Sequence, residues 1–509
     1  MSHHSSTAYD LVVAGGGPGG STTAALVAMQ GHRVLLLEKE HFPRYQIGES
    51  LLPSTVHGIC RLLGVADEMA RAGFTVKRGG TFRWGANPAP WTFAFALSPR
   101  LVDPTAFAYQ VERMRFDTIL LNHARRVGVE VREGCAVSEV LQDDGTVNGA
   151  AYTDEDGLTH TVRARFVIDA SGHRSRLHQA VGARRYSEFF RNIALFGYFE
   201  GGKRLPPPNS GNILSAAFES GWFWYIPLSE QLTSVGAVVK HELAAKVQGD
   251  PERALLKLVA ECPLVSEYLA DARRVTTGPY GRIRVRKDYS YCSSAFWRPG
   301  MALVGDAACF VDPVFSTGVH LATYGGLLAA RSVNTVLAGE LDERRVFEEF
   351  QARYRREFGL FYEFLVSFYD VHVAESSYFW KARKVTEFPA SDDEAFATLV
   401  GGVASGERSL RQAGALTARL AAAAGGLADA VDQVATNTGP EDMTPVFALP
   451  TVGQAMHEST AMQRQALNDA DGQSEPALIE GGLVASQDGM HWAEPEQQVH
   501  DAATVVPRA

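Results

Sequence analysis

Near the N-terminus the apolar positions fall into two unbroken runs separated by a stretch of small residues. Tyr9 to Ala14 (Y-D-L-V-V-A) is apolar on both faces, the pattern of a buried parallel strand. Gly15-Gly16-Gly17-Pro18-Gly19-Gly20 follows, then a helical stretch from Ser21 to Gln30. A second strand, Arg33 to Leu37, ends in Glu38. Together these predict a complete β-α-β unit. A third apolar strand, Ala164 to Ile168, ends in Asp169-Ala170-Ser171-Gly172. A fourth, Met301 to Val304, ends in Gly305-Asp306.

Between about Tyr186 and Tyr289 the period changes to two, as in Ile193 to Phe199 and Ser234 to Val239. This predicts a mainly antiparallel sheet inserted into a nucleotide-binding domain, a natural substrate platform. Past Arg344 the pattern is helical, with Phe361, Phe364, Leu365, Phe368 and His372 on one face. After Gly425 it becomes Ala-, Gln-, Asp- and Glu-rich without clear periodicity. The expected organisation is therefore a discontinuous nucleotide-binding domain (1–75, 105–185 and 285–343) and a substrate domain (76–104 and 186–284). A helical region (344–436) and a weakly ordered tail (437–509) complete it.

Composition narrows the function. The 509 residues are 46% hydrophobic and 21% charged, ordinary for a globular protein of two or three domains. A formal charge of -10 argues against a nucleic-acid binder. No apolar run is long enough to span a bilayer, and no signal peptide is apparent. Five scattered cysteines with no C-x-x-C pair predict reduced thiols, a cytoplasmic location and no metal site.

The Gly15-x-Gly17-x-x-Gly20 spacing lets backbone approach a pyrophosphate at a helix N-terminus, where unpaired N–H groups favour anions. Glu38 at the end of the next strand is placed for a ribose. Four further motifs carry chemistry. They are Gly48-Glu49-Ser50 with Lys77 downstream, Trp222-Phe223-Trp224-Tyr225-Ile226-Pro227, Val304-Gly305-Asp306-Ala307-Ala308, and Phe310-Val311-Asp312-Pro313-Val314-Phe315-Ser316-Thr317-Gly318. Successive N–H groups before a helix, as at Thr317-Gly318, make an anion-binding concavity.

Taken together these motifs resemble those of flavin-dependent halogenases, over about Tyr9 to Lys384. The resemblance is closest to the phenol type of antibiotic biosynthesis, whose substrate is often carrier-tethered. It implies an α/β fold: an FAD-binding Rossmann domain of the aromatic-hydroxylase (glutathione-reductase-2) type, with the inserted antiparallel sheet and the helical C-terminal region. It implies FAD contacts from Gly15, Gly17, Pro18, Gly19, Gly20, Glu38, Lys39, Arg44, Glu49, Ser50, Arg113, Asp169, Gly305, Asp306, Pro313 and Gly318. The halide, chloride or bromide, falls at Thr317 and Gly318. Lys77, Trp222, Trp224 and Ser316 take the catalytic roles. Lys77 guides hypochlorous acid to the ring, and the tryptophans obstruct direct hydroxylation of an organic substrate at the flavin.

Tryptophan halogenases carry a glutamate just before Ser-Thr-Gly, where this chain has Phe315. That departure fits a phenol, tyrosyl or polyketide-derived, whose oxygen already activates the ring. The implied partners are a separate NAD(P)H flavin reductase and an acyl or peptidyl carrier protein, with Arg282 to Lys287 as a basic docking patch. The alternative is an FAD-dependent aromatic monooxygenase. Against it, Asp169-Ala170-Ser171-Gly172 lacks the Asp-Gly pair of such hydroxylases, and Cys309 stands where His is common. A flavin-dependent reductase of isoprenoid double bonds and a non-catalytic flavin-binding protein are the remaining readings.

Overall fold

The computed structural model describes residues 9–101, 106–287, 290–339, 341–386, 391–410 and 476–495. Five parallel strands form the nucleotide-binding sheet. Their spatial order is Met301–Leu303, Thr159–Asp169, Tyr9–Ala14, Val34–Leu37 and Glu130–Arg132. Ala14 stands beside both Leu37 and Asp169, so three strand ends meet at one edge. In such a sheet, ligands bind outside the carboxyl ends of the strands.

The strand expected at Ala164 begins earlier, because its first half pairs antiparallel with Thr146–Thr153. The motif helix is Pro18–Ala28 rather than Ser21 to Gln30: Pro18 takes the first helical position, where its missing N–H costs nothing. The long helix Thr317–Ala338 packs along it, with Gly326 against Gly19.

The second large sheet is antiparallel except where Ile213–Phe218 runs parallel to Gly79–Arg83, so the 79–94 segment extends the inserted sheet. One face carries Trp222, Trp224 and Ile226 toward the main core; the other, with Phe223 and Tyr225, lies under the helix Pro251–Ala260. The strand Arg284–Lys287, expected in the nucleotide-binding domain from residue 285, pairs instead with Asn192–Glu200 of this sheet.

Helices Glu343–Phe368, Glu375–Thr386 and Asp392–Val400 follow. Phe361, Phe364, Leu365 and Phe368 are buried as expected, but His372 is exposed. The helix stops at Phe368, and the Asp370 carboxylate accepts from the His372 N–H in the turn beyond.

The segment 476–495 corrects the expectation of a weakly ordered tail. It forms a hairpin (Val484–Ala485 with Trp492–Ala493) whose Trp492 is buried and donates from Nε1 to Ser332 Oγ at 2.9 Å. The Arg331 and Arg353 guanidiniums lie against that indole. Composition concealed this because a few scattered buried residues (Leu483, Val484, Met490 and Trp492) and two buried arginines, not a periodic apolar face, hold the segment down. The rest of 437–509, and 411–436, lie outside the described residues. No described helix is long and apolar enough to cross a membrane.

Candidate active site

The strand ends open onto a cavity of about 540 Å³. Gly15 begins it at φ +103°, and a β-carbon there would stand 2.5 Å from Ala170 O. At Gly20 a β-carbon would stand 1.9 Å from Gly15 O, so that glycine closes the turn from beneath. Gly17 differs. Its only neighbour within 4 Å would be an Arg44 nitrogen at 3.4 Å, so the open space beyond it faces the cavity. Glu38 accepts from the Gly16 N–H at 2.6 Å and the Glu40 N–H at 2.9 Å, fixing its carboxylate at the rim.

Arg113 donates to both oxygens of Asp117, at 2.7 and 2.9 Å, and Arg44 to one of them at 3.0 Å. That wholly buried carboxylate aligns the two arginines along the cavity wall. Pro18, Gly19, Lys39, Glu49, Ser50, Gly305, Asp306, Pro313, Ser316 and Gly318 line the same cavity. Burial pushes the Asp306 carboxyl up, opposed by Arg286, Arg113 and Arg184. Glu49 Oε2 and Ser50 Oγ are buried polar atoms with no hydrogen-bond partner. A close-approach glycine, a rim carboxylate and orphaned polar atoms along one elongated cavity fit a bound dinucleotide.

Two residues expected to touch the flavin, Asp169 and Gly20, and one expected at the halide, Thr317, are not among the residues lining the cavity. Asp169 is wholly buried, and its carboxylate accepts from Ser171 and Ser175, so it shapes the turn behind the cavity. Gly20 is likewise structural. Thr317 does not line the cavity: its side chain is buried, with Oγ1 unpartnered. It opens the 22-residue helix, whose first N–H groups have no partner in the preceding turn. The turn before it is held by Asp312, which accepts from the Val314 N–H at 3.1 Å, and Ser316 sits at φ 62°. Gly318 passes so close to Phe310 that a β-carbon would meet the ring at 2.8 Å.

The tryptophans share one strand face, ring centres 6.2 Å apart, yet divide between two places. Trp224 lines the cavity and donates to Ser234 Oγ at 3.2 Å. Trp222 lies away from it, donating to Tyr369 OH at 2.7 Å and meeting Trp84 edge-on. The basic run read as a carrier patch also stands elsewhere: Arg284 and Arg286 line the cavity. Arg284 lies over the Tyr45 ring at 3.5 Å, and Arg286 reaches His173 and Gln46. None of these cavity residues belonged to a recognised motif.

Lys77 ends the strand Thr75–Lys77 and is 3% exposed. Nζ donates to Leu51 O at 3.1 Å and lies 5.4 Å from the centre of the Phe95 ring. No carboxylate among the described residues pairs with it, and burial lowers its ammonium to about 7. It faces a void of about 10 Å³ walled by Phe82, Phe93, Phe95 and Phe315. Ser316 and Ile213 line both this void and the large cavity, so a single layer of side chains separates them.

A cavity that fits a dinucleotide thus backs onto a small void at a secluded, ring-walled lysine. The chain matches the family model described as tryptophan halogenase over residues 10–104 and 97–415, and it belongs to that family; it is a flavin-dependent halogenase. It is 36% identical over 406 residues to a tryptophan 2-halogenase of Chondromyces crocatus, covering 77% of this chain and 75% of that one. It is 35% identical over 361 residues to the flavin-dependent halogenase gsfI of Penicillium aethiopicum, covering 65% and 66%. Among solved structures, the myxobacterial chondrochloren halogenase CndH is 53% identical with a TM-score of 0.73, over 96% of this chain and all of that one. The flavin-dependent brominase Bmp2 is 29% identical with a TM-score of 0.67, over 78% and 94%.

Proposed function

We propose that this enzyme places chlorine or bromine on an activated phenolic ring, tyrosyl- or polyketide-derived and tethered to a carrier protein, in secondary-metabolite biosynthesis. The observation that carries this reading is Lys77: a buried amine without a carboxylate partner, in an aromatic-walled void next to the flavin cavity. Bound in reduced form, FAD would supply the two electrons that reduce dioxygen to the peroxide level, and that oxygen would be the oxidant of the halide. Thr317 and Gly318, at the start of a long helix, hold the halide through backbone N–H groups. Trp224 walls the flavin side and keeps an organic ring from approaching there.

Lys77 receives the oxidised halogen as hypochlorous or hypobromous acid. The N–H bonds of the lysine orient it, and near neutral pH a free amine lone pair is also available to carry the halogen. Phe315 supports a phenol as substrate. Its ring packs 4.5 Å from Phe368 and 5.3 Å from Phe364, an environment with no place for a carboxylate that would stabilise a less activated ring. The void at Lys77 is smaller than a ring, so Phe82, Phe93 or Phe315 turns aside when substrate enters.

Reduced flavin is supplied by a separate NAD(P)H reductase, since the described residues hold one β-α-β nucleotide unit. Five free cysteines support a cytoplasmic setting. The test is incubation with FAD, a flavin reductase, NADH and oxygen, with free and carrier-tethered tyrosine or simple phenols. Mass spectrometry with and without halide reads the product. A halogen isotope doublet supports the proposal; a gain of one oxygen regardless of halide would make the enzyme a hydroxylase.

A further inference from the structure

Halogenation has a proton balance that the site described so far leaves unmet. One reduced flavin, one dioxygen, one halide, one aromatic C–H and one proton give one oxidised flavin, one carbon–halogen bond and two waters. A proton must therefore enter the cavity in every turnover.

We propose that Glu49 is the proton donor at the flavin cavity and that Tyr198 and Tyr45 form the path that reprotonates it. Glu49 Oε2 is buried, unpartnered and on the cavity wall. Its other oxygen accepts from Tyr198 OH at 2.6 Å, and Tyr198 OH lies 2.7 Å from Tyr45 OH. Tyr198 is wholly buried, whereas Tyr45 is partly exposed at the rim, beneath the Arg284 guanidinium. Three hydroxyl or carboxyl groups at hydrogen-bond distance thus join Glu49 on the cavity wall to a partly exposed residue.

The step is a shuttle. Glu49 releases its proton from Oε2 into the cavity. Tyr198 passes its own to Oε1 and takes the Tyr45 proton, Tyr45 is replenished from solvent, and a half-turn of the carboxyl group with rotation of the two hydroxyls returns the proton to the oxygen that faces the cavity. Neither phenol ionises, in keeping with burial that holds both well above their ordinary range.

The groups facing Glu49 set its charge. Burial pushes the carboxyl up to about 7, while the Tyr198 and Ser234 hydroxyls and the Arg113 guanidinium pull it down and Glu112 pushes it up. Glu112 is itself engaged, accepting from Tyr280 OH at 2.9 Å. Glu49 is therefore available both as acid and as base near neutral pH, where a proton donor is most effective. Ser234 also receives the Trp224 N–H at 3.2 Å.

This inference rests on the family's halogenation chemistry, but its test does not depend on a substrate. Infrared spectra of the oxidised holoenzyme are recorded across neutral pH for wild type, Glu49→Gln, Tyr198→Phe and Tyr45→Phe. A protonated carboxyl band that titrates near pH 7 in wild type and vanishes in Glu49→Gln is expected. In Tyr198→Phe it should titrate at higher pH, because a hydrogen bond to the carboxylate is lost.

Reoxidation of the reduced holoenzymes by dioxygen is then followed by stopped flow with and without bromide, in light and heavy water. The bromide-dependent phase should slow above neutral pH in wild type. In Glu49→Gln it should fall by roughly 10²-fold and lose its pH dependence. Tyr198→Phe should slow it while FAD affinity stays unchanged. A Glu49→Gln enzyme with the wild-type rate and pH profile overturns the proposal, as does a carboxyl band indifferent to all three substitutions. Should Glu49→Gln fail to retain FAD, Tyr198→Phe, which leaves the cavity wall intact, decides on the same two readouts. Wild-type product analysis is read separately: absence of halogenated product counts against the halogenase reading, while the infrared titration still judges Glu49.

Discussion

The indole of Trp224 lies directly on Gly236, its cross-strand partner, so closely that a β-carbon at Gly236 would stand 2.2 Å from the ring. Residues opposite one another on one sheet face compete for the same volume. The missing side chain at Gly236 is what lets the indole form the wall of the flavin cavity. Gly236→Val should push Trp224 into that cavity. Overpacking of this kind costs about 1–3 kcal/mol, which predicts FAD affinity weakened by about tenfold or more in a fluorescence titration. Trp222→Phe, by contrast, should leave FAD affinity unchanged, because Trp222 faces Tyr369 and not the cavity.

The glycines of the phosphate loop should separate by phenotype. Gly17 has free space where its side chain would be, whereas Gly20 abuts Gly15 O at 1.9 Å. Gly17→Val should purify folded, with normal far-ultraviolet circular dichroism, and without flavin colour. Gly20→Val should fail to fold. Two folded, yellow variants would show that the loop does not approach a pyrophosphate.

Lys77→Met should abolish halogenated product while keeping FAD and halide-dependent flavin reoxidation. It should also stabilise the apoprotein. The ammonium is lowered to about 7 by burial, so the unfolded chain binds a proton that the folded one gives up. The sign follows from linkage: Lys77 costs stability below its folded value, and stability recovers as pH rises from about 7 toward the ordinary lysine range. The gain in Lys77→Met should therefore be largest at neutral and acid pH and vanish in alkali, read by thermal melts. A variant that melts lower than wild type at neutral pH would mean the amine is better solvated than its surroundings indicate.

Phe315→Glu should not produce a halogenase of less activated rings. Its side chain would enter a cluster with Phe82, Phe364, Phe368 and Phe396, where a carboxylate finds no partner. Burial of such a group costs on the order of several kcal/mol when charged. Its raised carboxyl makes the loss grow with pH, so melts should fall further in alkali than in acid. An intact fold with pH-independent stability would refute this account of the position.

The parts of the site legible in the sequence are those built by the chain over short distances. Gly15 to Gly20 with Glu38 act through local backbone geometry, so their spacing in a strand-turn-helix context declares them, and Ser316-Thr317-Gly318 before a helix was legible through family resemblance. Arg44 and Arg113 were legible only through family resemblance; their reason, a shared Asp117, lies in a helix far from Arg44 in sequence. Tyr45 and Tyr198 carried no signal. They reach the cavity from separate strands and loops, and each is a common residue until its neighbours are known. Arg282 to Lys287 misled for the same reason: a run of positive charge does not say which residues face inward, and the pairing of Arg284–Lys287 with Asn192–Glu200 turns two of them to the cavity.

By itself the sequence determined the β-α-β unit and the inserted antiparallel sheet, because each depends on periodicity or on backbone conformations that only particular residues permit, and resemblance to a family supplied the halogenase motifs. Tertiary structure decided what those motifs face. It placed Trp224 on the flavin cavity and Trp222 behind it, and it assigned Asp169 to a turn instead of the cofactor. It also folded 476–495 onto the helix Thr317–Ala338 and removed water from Lys77 and Glu49. Solvation, close packing and shared hydrogen-bond partners arise between segments distant in the chain, and they set the charge and reach of a side chain as no local pattern can.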